Sequence, residues 1–122
     1  MYKRQHLVER IRSTGRQVDL RADDVDLPAS TARAVYRIVQ EALTNAVKHT
    51  PTGGIRVRVE QIGSDVRLEV VNDCDRQADP VPGHGLVNMR ERLAMVQGTL
   101  HTGPEPNGGF AVRATFPLPR KW

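Results

Sequence analysis

The stretch Val35 to His49, VYRIVQEALTNAVKH, constrains this chain more than any other. Val35, Ile38, Val39, Ala42, Leu43, Ala46 and Val47 recur at i, i+3, i+4 and i+7, the spacing of a helix with one face in a core. The rest of the chain must supply a layer that covers this face. Glu41, Asn45 and Lys48 follow at i, i+4 and i+7 and make a second, polar stripe at the rim of the apolar one, with His49 beside it. An acid, an amide and a base in that position suit either a solvated helix face or one wall of a cleft. The stretch by itself leaves both open.

The flanking sequence supplies the covering layer. Residues 17–22 (QVDLRA) alternate as a strand with Val18 and Leu20 inward. Pro28 followed by Ser30 or Thr31 offers a helix start, so the long helix is predicted from about residue 29 to 48, ending before Pro51. Ile55, Val57 and Val59, then Val66, Leu68 and Val70, alternate in two further strands, with a hairpin turn at Gly63-Ser64-Asp65. The segment from Cys74 to Pro82 is polar and holds two prolines, which predicts a loop. Residues 86–97 are predicted as an amphipathic helix that buries Leu86, Met89, Leu93 and Val96, with Gly98 in the left-handed position after it. The chain closes on a second hairpin: Thr99 to Thr102, a turn at 104–109, then alternation at Phe110, Val112, Ala114 and Phe116. Hairpin-joined strands and helices with single apolar stripes predict an α+β fold. It is a two-layer sandwich with a mixed, mostly antiparallel sheet covered on one face by helices.

Composition narrows the partners. The 122 residues amount to one domain, and aromatic residues are only 4% of them, so the core must be aliphatic. The longest apolar runs fall short of a membrane span. Cys74 is the single cysteine, cannot form an internal disulfide and points mildly to a reducing compartment. Net charge is +4, with Lys3, Arg4, Arg10, Arg12 and Arg16 clustered against Glu9. No aromatic residues interleave the basic ones, so a solvated helix face is expected there, with no direct nucleic-acid partner. Residues 2–13 themselves read as a short helix with Leu7, Val8 and Ile11 on its apolar face.

Gly83-His84-Gly85-Leu86 follows the loop and opens a helix. Glycines there let backbone N–H groups approach phosphate oxygens, and a helix amino terminus carries partial positive charge. A plain loop-to-helix turn would use the same residues.

The ordered combination is more specific than either piece. E-x-x-x-N-x-x-K-H on a helix, a hairpin strand ending in N-D-C, about ten loop residues, then G-H-G-L-x-x-M-R-E-R and a Gly-Gly-containing final hairpin resembles the ATP-binding domain of sensor histidine kinases. This is the Bergerat-type family shared with type II topoisomerases, MutL and Hsp90 chaperones, and the K-H pair and GHGL sequence look most like its nitrate-sensor subgroup. The resemblance spans about residue 17 to 118 and implies ATP and Mg²⁺ as cofactors.

Carried over to this sequence, the resemblance implies that Asn45 offers its side-chain oxygen to Mg²⁺. Glu41 would polarise the incoming nucleophile or orient a Mg²⁺-bound water. Lys48 and His49 would contact phosphate oxygens, and Gly83, His84, Gly85 and Leu86 would meet phosphates after a lid formed by Asp75 to Pro82. Where the family usually has Asp-x-Gly to receive the adenine amino group, strand phase puts Asn72 at the Asp position and Cys74 at the Gly position. Asp73 is the neighbouring acceptor but points to the other side. The resemblance further implies transfer of the γ-phosphoryl of Mg-ATP to a histidine on an upstream dimerisation and phosphoacceptor domain of a homodimeric parent kinase. A response regulator would follow as partner. Residues 1–16 would trail from that upstream linker and 17–122 would form the ATPase domain, cytoplasmic within a parent that can be membrane-anchored. A stand-alone serine kinase of the anti-sigma-factor type and a nucleotide-free interaction module remain the alternatives.

Overall fold

The computed structural model describes residues 9, 13, 15, 17–23, 25–49, 53–72, 83–105 and 109–118, with the side chains of 49 and 83–88 outside that description. The leading helix expected over 2–13 lies almost wholly outside the described residues.

Five strands form one sheet: β1 (Val18–Ala22), β2 (Ile55–Ile62), β3 (Asp65–Asn72), β4 (Thr99–Pro104) and β5 (Phe110–Pro117), in the order β1-β2-β3-β5-β4. β1 pairs parallel with β2, and the other three pairings are antiparallel. Among the described residues two helices cover it, α1 (Ala29–His49) and α2 (Gly83–Ala94). The mixed two-layer sandwich expected from the sequence is what forms.

The apolar stripe of α1 lies where its periodicity put it. Val35, Ile38, Val39, Ala42 and Leu43 are buried, with Ala46 and Val47 packed at the margin. They meet a row of inward strand residues: Val18, Ile55, Val57, Val59, Val66, Leu68, Val70, Leu100, Val112, Ala114 and Phe116. Met89 and Leu93 bring α2 onto the same core, and the two helices pack against each other. Burying these aliphatic side chains is worth about 1.5–3 kcal/mol each before conformational entropy is counted, so the helix layer and the sheet hold each other in place.

Register fixes which ends meet. Val18 pairs with Ile55, Ile55 with Asn72, Asn72 with Phe110, and Phe110 with Pro104. These residues define one end of the sheet, and the Gly63-Ser64 turn lies at the other. β1 runs away from the Asn72 end, so α1 starts near the turn end and must return about 31 Å, at 1.5 Å per residue, to reach β2. β3 and β4 are each antiparallel to β5 and therefore parallel to one another. Hence α2 is also a crossover, leaving from the Asn72 end and finishing at the turn end. Grooves at that far end, lined by Ser30 and Thr31 of α1 and by Met95, Val96 and Gln97 after α2, mark the meeting of the first turn of α1 with the end of α2. The two crossovers lie on one face but step in opposite senses relative to their strands, so one of them is left-handed, against the strong right-handed preference.

Four local details depart from expectation. α1 begins one residue after Pro28, whose carbonyl accepts from Ala32 N–H at 2.9 Å, so Ser30 and Thr31 sit inside the first turn rather than before it, with Thr31 buried. The hairpin turn is two residues, Gly63-Ser64, because Asp65 already pairs with Ile62; Gly63 takes the positive φ of 63° that the first position of a II′ turn requires. β4 extends to Pro104, two residues past the expected end. Finally, α2 spans Gly83–Ala94 rather than 86–97, and Gln97, not Gly98, adopts the left-handed conformation, with φ 61°.

On the outer face of the sheet Arg58 donates to Asp19 at 3.0 Å, and Arg113 donates to Glu69 at 2.8 Å and to Glu105 at 2.7 Å. The hydrogen bonds to Glu69 and then Glu105 raise the Arg113 guanidinium above its usual value. These pairs are solvent-accessible and add little stability.

Candidate nucleotide site

The crossover of α1 carries its carboxyl-terminal half to the end of the sheet where β3 stops. Glu41 and Asn45 are half-buried there on the rim of the core-facing stripe, and Lys48, one turn further, is exposed. The helix closes on His49. Asn45 combines partial exposure with a fully enclosed Nδ2 that meets no hydrogen-bond partner among the described residues. A buried amide donor without a partner costs about 1–3 kcal/mol, and a solvated helix face does not create that situation. Asn45 therefore aims one end of its amide into the protein, whereas Lys48 of the same stripe stays exposed.

Asn72 is the last residue of β3 and only 2% exposed. It shares the phase of Val66, Leu68 and Val70 and so faces the helix layer. Ile55 and Phe110 flank it in register on β2 and β5 and face the same way. Neither was singled out by sequence reasoning as part of the site. The signal was present in the two-residue alternation of each strand, but it needed the cross-strand register to bring 55, 72 and 110 into one row.

Gly83, His84, Gly85 and Leu86 are the opening turn of α2 itself. The glycine segment is thus not a loop leading into the helix: its backbone N–H groups belong to the orphan donors that every helix amino terminus leaves without an intrahelical acceptor. Asp73 and Cys74, and the expected lid from Asp75 to Pro82, lie outside the described residues. Among the described residues no group of three or more His, Cys, Asp or Glu side chains converges as a metal cage. None of the described helices is long and apolar enough to cross a membrane.

Known proteins share this fold. Residues 30–120 match the family described as histidine kinase-, DNA gyrase B-, and HSP90-like ATPase. The chain is 32% identical over 101 residues to the sensor histidine kinase LnrJ of Bacillus subtilis (strain 168), spanning 82% of this chain and 25% of that protein. It is 37% identical over 84 residues to the sensor histidine kinase DesK of the same organism, spanning 66% of this chain and 22% of that protein. The chain thus spans about a quarter of the length of the curated relatives it matches. Among solved structures, the histidine kinase domain of the Erythrobacter litoralis EL346 blue-light activated histidine kinase superposes with a TM-score of 0.78 at 22% identity, covering 93% of this chain and 57% of that one. Full-length ShkA in complex with AMPPNP gives a TM-score of 0.73 at 21% identity, covering 93% of this chain and 29% of that one. These two likenesses establish a common fold. The family match takes in α1, α2 and four of the five strands, and on that ground the chain belongs to the histidine kinase-, DNA gyrase B-, and HSP90-like ATPases.

Proposed function

We propose that this chain is the ATP-binding catalytic domain of a two-component sensor histidine kinase, which transfers the γ-phosphoryl group of Mg-ATP to a histidine on a dimerisation domain. The observation that carries the reading is the convergence, by two crossovers, of the polar stripe of α1, the buried end of β3 and the opening turn of α2 at one end of the sheet. From the end of α2, twelve residues back to Gly83 cover about 18 Å at 1.5 Å per residue. That length brings the glycine turn level with the Glu41–Asn45 part of α1. A triphosphate held between them would meet amide N–H groups on one side and Lys48 and His49 on the other.

The donor set suits Mg²⁺ in such a complex. With its Nδ2 enclosed by the protein, Asn45 would offer the ion its amide oxygen. A single amide oxygen with the Glu41 carboxylate one turn away is a sparse, hard-oxygen set, as expected for an ion that keeps waters and shares phosphate oxygens. When bound, the ion would neutralise charge developing on the phosphates; Glu41 would orient the attacking group and Asn72 would receive the base. The relatives favour a histidine acceptor over the serine of anti-sigma-factor kinases, since the matched proteins are named as sensor histidine kinases. By the same analogy the parent would be a homodimer that passes phosphoryl to a response regulator, with residues 17–122 as its catalytic domain.

Titration of a fluorescent ATP analogue, with and without Mg²⁺, tests the reading. The chain is expected to bind saturably and more tightly with Mg²⁺. Asn45→Ala should lose at least about tenfold of that affinity while keeping its helical circular-dichroism signal, as removing one group of a charge-assisted set does. Absence of binding by the unmodified chain would refute the nucleotide site. Unchanged Mg²⁺-dependent affinity in Asn45→Ala would remove Asn45 from the ion.

A further inference from the structure

The end of β3 carries a carboxamide, Asn72, held at 2% exposure and facing the helix layer between Ile55 and Phe110. A carboxylate can only accept hydrogen bonds, whereas a carboxamide both donates and accepts. Adenine presents an N6 amino donor beside the N1 acceptor; a 6-oxopurine presents the reverse, an O6 acceptor beside an N1–H donor. A carboxylate set against that edge matches the amino group of adenine and opposes O6. A carboxamide matches either base, because turning it by 180° about its last bond exchanges Oδ1 and Nδ2. Burial sharpens the contrast, since little water can reach the position to repair a mismatch. Half-buried Phe110 offers apolar surface on which a purine ring can lie, with Ile55 buried in the core on the other side of Asn72.

We propose that Asn72 makes the base subsite tolerant of 6-oxopurines, so that the chain binds inosine and guanosine triphosphates as well as ATP. The proposal rests on the nucleotide reading given above and names the substrate class of that same site. It assigns Asn72 a role in specificity, through direct contact with the base.

The test is competition of ATP, ITP, GTP and UTP against the fluorescent ATP analogue, in Mg²⁺, on the unmodified chain and on Asn72→Asp. ITP is the sharpest probe, because it differs from ATP only at the edge Asn72 would read. ITP is expected within about tenfold of ATP and UTP well below both, with Asn72→Asp weakening ITP relative to ATP by about tenfold or more. ITP more than about a hundredfold weaker than ATP on the unmodified chain would overturn the proposal while leaving the nucleotide site standing. Equal competition by ATP, ITP and UTP would overturn it too, since the base would then go unread. An unchanged ITP-to-ATP ratio in folded Asn72→Asp would take Asn72 out of the role. If Asn72→Asp does not fold, the order of the four nucleotides on the unmodified chain decides alone. Failure of every nucleotide to compete, together with failure of the analogue to bind, would remove the site itself and this proposal with it.

Discussion

Gln97 holds φ at 61° at the end of α2, and Gly98 follows with its Cα pressed into the core. The hydrogen bonds identify a Schellman closure: Gly98 N–H donates to the Leu93 carbonyl at 2.7 Å and Gln97 N–H to the Ala94 carbonyl at 3.1 Å. A Cβ on Gly98 would stand 2.8 Å from Leu93 Cδ2, 3.0 Å from the Thr115 carbonyl oxygen and 3.1 Å from Phe116 Cβ. Gly98→Ala is therefore expected to lower stability by about 1–3 kcal/mol, the cost of overpacking. Gln97→Gly is expected to raise it by up to about 1 kcal/mol by relieving the left-handed strain. Urea midpoints of the two variants check both signs, and a stabilised Gly98→Ala would mean that the closure is misread. The sequence marks a helix stop here but not which residue turns left-handed. That choice depends on Leu93 and Phe116 closing over position 98, a contact between distant parts of the chain. The same holds for Asn72: strand phase alone gives its inward direction, whereas its burial beside Phe110 depends on how β3 and β5 register.

The elements themselves are legible because each has a period. The 3.6-residue recurrence from Val35 to Val47 and the alternation at 55–59, 66–70 and 112–116 reappear as the buried faces of α1, β2, β3 and β5. Leu43 is 1% exposed in the middle of α1 while Thr44, its neighbour, is exposed. Leu43→Ala should thus cost about 2–5 kcal/mol, and Thr44→Ala should stay within about 0.5 kcal/mol of the unmodified chain. Chemical denaturation of both separates a core-facing α1 from a loosely attached one; similar losses in the two would contradict the burial pattern. Pairing is harder to read than period. Nothing local to Val18–Ala22 says that it lies parallel to β2, and the opposite hands of the two crossovers come from the strand order, not from any segment. The early start of α2 escaped for a simpler reason: glycine is unfavourable within helices, but in the first turn its N–H has no intrahelical acceptor to lose.

At the scale of the molecule the layers divide the labour. The helix side of the sheet carries the candidate nucleotide groups, and the outer side carries ion pairs: Arg58 with Asp19, and Arg113 with Glu69 and Glu105. His101 belongs to that outer side, exposed on β4 and in register with Arg113, so it faces away from Asn45 and Asn72. The other three histidines are His6, His49 and His84, and none of the four is followed by an acidic residue, which the resemblance to sensor histidine kinases would imply for an acceptor. Under the proposed function, purified chain incubated with γ-labelled ATP and Mg²⁺ is expected to bind nucleotide without gaining covalent label. Label that survives alkali and is lost in acid, at a level approaching one per chain, would place the acceptor histidine within these 122 residues. It would then have to lie on a segment that can reach the opening turn of α2, and His101 is excluded from that by the thickness of the sheet.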